Sequence, residues 1–544
     1  MPGIGGELMH HRSPNTNPGP ASARYVLSID LGSGGPKAAV VSDTGQVVAS
    51  AAERIATHLL PHGGAEQDPK EWWSCTKTVA KRAIRASGVA PQDIVAVGCA
   101  SQYSVTVPVD EQGEPLMNAM HWMDTRGGPY NREICRGFPS IQGYGLLKLI
   151  KWIRLTGLAP TQSGIDALGH ILFIKNERPE TYEKTHKFLE PVDYLNLRLT
   201  GEFTASQHTM APTFAADLRR WSSLDYSDDL LKLGGVEKER LPPLIPNDGV
   251  IGPLLPDVAD EMGLLPTTQV FAGMNDTTAM AIGGGAVRSF EGIICIGTST
   301  VMTCHLPFKK TDLAHLLAST PSPVADRYLL FAEQGTGGKC LELFLESLVY
   351  ADDEFATGSL PGDVYDRVDR IAASVPAGSE GLLFLPWLNG TLTPEENPTA
   401  RGGFFNLSLN CTRSHMTRAV MEGIAYNNLW TLGPAEKFTG REFDHFRFAG
   451  GGALSDVWAQ IHADVLDMPI HQLADPTHAA VRGPAFLALD RLGICSLEQL
   501  ANLVQVKRVY EPDGSNRAVY DRMYEGFRAV FNSNKKVFDL LNAE

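Results

Sequence analysis

Short apolar runs broken by turn residues open the chain. Tyr25–Ile29, Lys37–Ser42 and Gln46–Ala52 each read as a strand, separated by GSGGP and DTG turns. Strands so closely spaced predict an antiparallel meander rather than the strand–helix–strand start of a dinucleotide fold. From Pro69 the period lengthens. PKEWWSCTKTVAKRAIRAS reads as a helix with proline in its first position. IVAVGCASQ (94–102) then has the pattern of a buried strand. Strand, strand, strand, helix, strand predicts an α/β domain with a mixed sheet.

Further along, PVDYLNLRLTGE (191–202) predicts a short helix stopped at Gly201. VFAGMND (270–276) is a strand, followed by a helical TTAMAIGGGAV. EGIICIGTSTVMTCH (291–305) repeats the opening pattern of apolar run, glycine–hydroxyl turn and apolar run. FRFAGGGALSDVWAQIHADVL (446–466) reads as strand, glycine turn and helix, with Trp458, Ile461 and Val465 on one face. These patterns predict a flexible Gly/Pro/Asn-rich tail over 1–24 and two α/β halves, 25–286 and 287–544.

Composition narrows the function. A chain of 544 residues is too long for one ordinary core. A formal net charge of -15 argues against a general nucleic-acid binder. The eight cysteines are scattered, with no CxxC pair, and read mostly as buried apolar residues of a reduced compartment. The tail lacks the apolar segment of a signal peptide, and no apolar stretch has transmembrane length. A cytoplasmic protein without membrane contact is expected.

Three glycine turns carry the candidate chemistry: LGSGG (31–35), IGTST (296–300) and AGGGA (449–453). Each closes an apolar strand and offers backbone N–H groups that a phosphate can use. Each is equally explained as a plain turn. After the third, a helix starting at once would aim its N-terminus at an anion. No GxxxxGK[ST] occurs, which excludes a Walker-type loop. Asp276, at the end of a strand and the start of a helix, fits a general base and equally fits a helix N-cap.

The ordered series of segments resembles the FGGY carbohydrate kinases, whose members include xylulose, gluconate, ribulose and glycerol kinases. It runs through IDLGSGGPK (29–37), GGAEQDPKEWW (63–73), SQYSVTVPVDEQGEPLMNAMHWMDTRG (101–127), LTGEFTASQHTMAPTFAADLRRW (199–221), GMNDTTAMAIGGGAV (273–287) and GTST (297–300). LFLPWLNGTLTPEENPTARGGFFNLS (383–408) and AGGGALSDVWAQIHADVL (449–466) complete it. The resemblance implies two actin-like, ribonuclease-H-like domains with a catalytic cleft between them. It implies transfer of the ATP γ-phosphoryl group to a hydroxyl of a small ketose or polyol, with ATP and Mg²⁺ required and a homodimer compatible. Asp276 would be the base and touch the substrate, and Asp30 would help hold the metal. Gly32, Ser33 and Lys37 would face Gly297, Thr298 and Ser299 across the phosphates. Gly451, Gly452 and Ala453 would lie against adenosine. Gln102, Tyr103, Trp122 and Asp124 would form the sugar side.

The chain also departs from the family pattern. Gly34 and Gly35 stand where hydroxyl residues are common, so phosphate binding would lean on backbone N–H groups. Gln102-Tyr103-Ser104 lacks both the basic–acidic pair of glycerol kinases and the histidine of xylulose kinases. Arg482 and Pro484 stand where small residues are usual; Arg482 would meet a phosphate or solvent, and Pro484 would sit near a helix start. Asp124 and Arg126 pair with each other or touch sugar, and Trp72-Trp73 reads as core. Two rival readings remain: a catalytically silent sugar- or nucleotide-binding regulator, and a nucleotide-driven chaperone or filament protein. Retention of Asp30, Asp276 and both phosphate turns disfavours the first, and the sugar-side segments disfavour the second.

Overall fold

The structure, a computed structural model, describes residues 23–354 and 358–542. All but the last two residues of the expected tail lie outside these. Tyr25–Gly32 (β1), Gly35–Ser42 (β2) and Val47–Ala52 (β3) form the expected meander, β2 pairing antiparallel with both neighbours. Pro69–Ser87 (α1) follows. Asp68 caps it by accepting from Lys70 N at 2.8 Å, and Gly88 ends it in the left-handed region. Trp72 and Trp73 on its inner face are buried, as core residues. Ile94–Ser101 (β4) runs parallel to β1, which makes the sheet mixed.

Pro191–Thr200 (α2) stops at Gly201, φ 78°. Val250–Pro253 (β5), Gln269–Phe271 (β6) and Met274–Asn275 (β7) complete a seven-stranded sheet of order β5-β6-β4-β1-β2-β3, with β7 also against β4. Asp276–Gly283 (α3) leads out of it. The helix expected to continue to residue 287 breaks here, because Gly285 turns the chain at φ 84°.

The second half repeats this plan. It contains Gly292–Ile296 (β8), Ser299–Leu306 (β9), Thr311–Asp312 (β10), Leu317–Pro321 (β11), Tyr328–Thr336 (β12), Arg413–Thr439 (α4) and Phe446–Ala449 (β13). Asp456–Leu466 (α5), Ile470–Leu473 (β14), Ala479–Arg491 (α6), Val506–Tyr510 (β15) and Arg517–Asn542 (α7) follow. The sheet order is β10-β11-β12-β9-β8-β13-β14-β15. In each half, the first strand pairs antiparallel with the second and parallel with a later one. The repeat read as pattern is therefore a repeat of topology.

The halves share a core in which Val26, Ala39 and Val41 pack with Ile293, Leu329 and Phe486. At its centre α3 and α6 touch backbone to backbone. A Cβ on Gly283 would lie 1.9 Å from Ala479 O, and one on Gly483 2.2 Å from Ala279 O. Pro484 sits inside α6 rather than at its start, with its carbonyl packed on Gly98. Arg482 meets neither solvent nor an open phosphate turn. It is buried, and its Nε donates to Gly283 O at 2.9 Å and its Nη2 to Asp475 O at 3.1 Å. It therefore closes the C-terminus of α3, where a cation suits the helix dipole.

All eight cysteines are free; four are buried and four half-buried. Among the described residues no helix is long and apolar enough to cross a membrane.

Candidate active site

The first glycine loop divides into two kinds of glycine. Gly32 and Gly35 are paired in register, so Ser33 and Gly34 form the turn. Gly35 has φ 128°, and a Cβ there would lie 2.1 Å from Glu53 O, so the fold itself demands glycine. A Cβ on Gly34 would meet nothing within 4 Å. Packing does not explain Gly34, which leaves the turn open to a ligand.

Ser33 faces the other expected group of residues. Its hydroxyl donates to Gln102 Oε1 at 2.9 Å and accepts from Trp122 Nε1 at 2.9 Å. Gln102 Nε2 donates to Gln67 Oε1 at 2.7 Å, and Gln67 Nε2 donates to Ser33 O and Thr57 Oγ1. Trp72 Nε1 also donates to Gln67 Oε1. The single hydroxyl proton of Ser33 is thus engaged on the sugar-side residues. In this arrangement its hydroxyl proton is directed at Gln102 and away from the open face of the turn. Gln67, inside the segment GGAEQDPKEWW, is the node of this network.

Asp124 is fully buried. Arg126 donates to it from Nε and, at 2.6 Å, from Nη2, and Ala65 N donates at 2.9 Å. Arg126 also pairs with Glu66 at 2.7 Å. The internal ion pair is the alternative that forms, and it holds the buried Asp124 carboxylate in place. Tyr103 stacks on His208 and on Phe331 of β12, spanning the two halves, and its hydroxyl donates to His208 O at 3.2 Å.

Asp276 is the first residue of α3 but does not cap it. Asn275 does, its Oδ1 accepting from Thr278 N at 2.8 Å. Thr277 N donates to Asp276 Oδ1 at 2.7 Å, which fixes where the other carboxylate oxygen points. Burial raises the Asp276 pKa above the ordinary carboxylate value. His208 supports the same turn: its Nε2 accepts from Asn275 N at 3.3 Å and its Nδ1 donates to Pro321 O at 2.8 Å. Those partners assign the proton to Nδ1.

Two further acids feel Asp276. Asp30, on β1, is raised to about 7, first by burial and then by the Asp276 charge, with Lys37 opposing. Its Oδ1 is buried without a hydrogen-bond partner. Lys37 lies opposite Asp30 in register and donates from Nζ to Thr477 O at 2.9 Å, tying the halves together. Glu333, on β12, is raised above the ordinary carboxylate value by the protein around it and then by the Asp276 charge. Solvent still reaches it, as expected for a group in a cleft. It lies two residues from Phe331 on the strand and so shares the face with which Phe331 meets Tyr103 of the first half. Glu333 escaped the sequence reading, although an acid inside the strand-like YLLFAEQGT was a legible signal.

The second turn is open as well. Gly297 and Thr298 are exposed and Ser299 is half-buried. From behind, Gly337 N donates to Thr298 O at 2.9 Å and Gly338 N to Gly297 O at 2.8 Å. At the third turn, Gly451 alone faces open space; a Cβ on Gly452 would lie 2.7 Å from Ile296 Cβ, and Ala453 is fully buried. Nor does a helix begin at these glycines. Gly451–Leu454 form a 3-10 turn, and α5 starts at Asp456 behind its own cap, Ser455, which accepts from Trp458 N at 3.0 Å.

Carboxylates from both halves thus converge between two open glycine turns. Residues 25–283 match the N-terminal domain of the FGGY family of carbohydrate kinases, and residues 292–489 match its C-terminal domain. The chain belongs to the FGGY family of carbohydrate kinases. Xylulose kinase of Bacillus subtilis (strain 168) is 28% identical over 516 residues, covering 94% of this chain and 97% of that one. Among solved structures, gluconate kinase from Lactobacillus acidophilus matches with a TM-score of 0.81 at 23% identity, over 96% of this chain and 100% of that chain. Xylulose kinase from Rhodospirillum rubrum matches at 0.79 and 25% identity, over 95% and 100%. This FGGY protein is an ATP-dependent carbohydrate kinase, with the two-domain actin-like architecture that the resemblance implied.

Proposed function

We propose that this kinase transfers the γ-phosphoryl group of ATP to a hydroxyl of a small neutral ketose or polyol, with Asp276 as general base. One observation carries the reading: Asp276, Asp30 and Glu333 converge from the two halves, between the turns at Ser33-Gly34 and Gly297-Thr298. Asp276 takes the proton of the substrate hydroxyl as that oxygen attacks the γ-phosphorus. The new O–P bond forms as the bond to the β-phosphate oxygen breaks, and ADP leaves with that electron pair. A carboxylate with its pKa raised toward neutrality, and with one oxygen held by Thr277, suits the task. Phosphoryl transfer asks the protein mainly for positioning and charge stabilisation. Backbone N–H groups at Ser33, Gly34 and Thr298 supply donors to the phosphates, Gly297 N being engaged on Ser299 O at 2.9 Å, and Gly451 gives the nucleotide room against backbone.

The residues fit Mg²⁺. Asp30 offers a buried oxygen with no hydrogen-bond partner, beside a second carboxylate. Mg²⁺ keeps several waters and takes one or two carboxylates, a demand that Asp30 and its neighbour can meet. Bound there, held by Asp30 through water, it would offset the charge of the phosphates.

Gln102 and Trp122, locked by Ser33, form one wall of the sugar site, and Glu333 accepts from a substrate hydroxyl on the other. This lining argues for a neutral substrate. Glu333 and Asp276 are acidic, and Arg126 is already neutralised by Asp124 and Glu66. A sugar acid would enter against that field. We place the reaction in the cytoplasm, where ATP is supplied.

A coupled ADP-release assay tests the proposal across pentuloses, hexuloses, pentitols, tetritols, glycerol and gluconate. Turnover with a ketose or polyol is expected. Turnover with gluconate alone would overturn the neutral-substrate assignment, and silence with every compound would overturn the reading.

A further inference from the structure

A cavity of about 280 Å³ lies in the second half, outside the cleft, between α4, α7 and two loops. His315, Glu395, Trp430, Pro434, Tyr524 and Arg528 line it. Its size is just below the usual range for drug-sized ligands, which suits a small metabolite. The Arg528 guanidinium stacks on Trp430 at 4.2 Å and neighbours the Tyr524 hydroxyl. It forms no ion pair among the described residues, and its Nε has no hydrogen-bond partner. The other charged groups in the lining are already matched. Glu395 pairs with Lys535, and His315 with Asp312 at 2.8 Å. Pro434, inside α4, has no N–H, so the Trp430 carbonyl lacks its i+4 donor. The cavity thus holds one uncompensated cation of the type that binds carboxylate and phosphate, beside a backbone acceptor.

We propose that this cavity binds a small hydroxylated oxyanion, its anionic group on Arg528 and a hydroxyl on the Trp430 carbonyl. A hydroxycarboxylate and a phosphate ester share that chemistry. The site is tied to the cleft through β12. Thr393, next to the Pro394-Glu395 wall, donates from its N–H to Glu333 O at 3.1 Å and from Oγ1 to Leu316 O at 3.3 Å. Asn427 and Asn428, next to the Leu429-Trp430 wall, hold Gln334 by bonds of 3.2 and 2.8 Å. Two walls therefore bond to Glu333-Gln334, one residue of which faces the cleft, and a third is held to the first through Leu316 O. Occupancy changes sugar affinity through this strand, and sugar changes oxyanion affinity by the same factor. The coupling rests on the proposed function; the binding does not.

Calorimetry on the full chain, with ADP at saturation to occupy the nucleotide site, tests the binding. Malate and glycerol 3-phosphate serve as separate probes. At least one is expected to bind at millimolar concentration or below, to weaken tenfold or more in Arg528→Met and to recover in part in Arg528→Lys. Binding of one probe alone identifies the anionic group. Arg528→Gln supplies the comparison if Arg528→Met does not fold. Failure of both probes, or equal binding to wild type and variant, overturns the site. The sugar KM is then measured with and without the bound probe; a shift of threefold or more in wild type and none in Arg528→Met is expected. An unchanged KM overturns the coupling. Absence of phosphoryl transfer would count against the proposed function and leave the calorimetric result standing.

Discussion

Trp122 Nε1 donates to the Ser33 hydroxyl at 2.9 Å, and that hydroxyl donates in turn to Gln102 Oε1 at 2.9 Å. A residue of the first glycine turn is thereby built into the wall proposed for the sugar. Ser33→Ala leaves the indole N–H without an acceptor and Gln102 Oε1 without a donor. We expect the sugar KM to rise about tenfold, on the order of one lost buried hydrogen bond, with the ATP KM within about twofold of wild type. Steady-state kinetics with each substrate varied in turn check this. A larger effect on the ATP KM would restore the direct phosphate contact.

Asp276→Asn keeps the shape at the start of α3 and the Asn275 cap but removes the base. Turnover should fall by about 10²- to 10⁴-fold, the usual contribution of a positioned base, while nucleotide binding measured by calorimetry is retained. Robust turnover by this variant would exclude Asp276 as the proton acceptor.

Glu333→Gln tests the acid contributed by the second half. The side chain keeps its size and one acceptor oxygen but loses its charge. The sugar KM should rise about tenfold or more, because a charge-assisted hydrogen bond is replaced by a neutral one. Equal loss in kcat and kcat/KM, with the KM unmoved, would point instead to a contact made only in the transition state.

Arg482 donates to the last carbonyl of α3, the helix that carries Asp276 at its other end. Arg482→Met fills the space but leaves Gly283 O and Asp475 O without this donor. Chemical denaturation should show a loss of about 2 kcal/mol, typical of buried charged hydrogen bonds. An unchanged midpoint would show that the bonds add nothing net.

His462 supplies a pH test. It is buried between Trp458 O, to which Nδ1 donates at 2.8 Å, and Asn428, from which Nε2 accepts at 3.1 Å. Burial lowers its pKa from 6.5 to about 4. Between those values the unfolded chain binds a proton that the native state does not. Stability from this group is therefore complete above pH 6.5 and is lost as pH falls toward 4. His462→Gln removes the titration. Wild-type stability relative to this variant should decline by about 1 kcal/mol per pH unit below 6.5, read from denaturation curves at pH 7.5, 6 and 5. A flat difference would place the native pKa near its ordinary value.

Much of the scaffold was legible in advance. Short apolar runs between turn residues gave the meander, Pro69 opened a helix, and the ordered motifs predicted the two-domain kinase fold. The errors cluster where local pattern competes with packing. TTAMAIGGGAV has helical composition throughout, but Gly285 turns the chain with a positive φ. Asp276 and Asn275 are both good caps, and only the entry path from β7 decides between them. Arg482 looks like a surface cation until α3 is laid across α6.

By itself the sequence determined what depends on period, turn chemistry and motif order: the strands, the repeated halves and the aspartate at the head of α3. Only the tertiary structure decided which polar groups face each other. Ser33 meets Trp122 across 89 positions of chain, and Asp30 shares its electrostatic field with Asp276. Hydrogen bonds and desolvation act at a few ångströms in space, and a linear pattern carries no record of those distances until the sheets and the crossing helices set them.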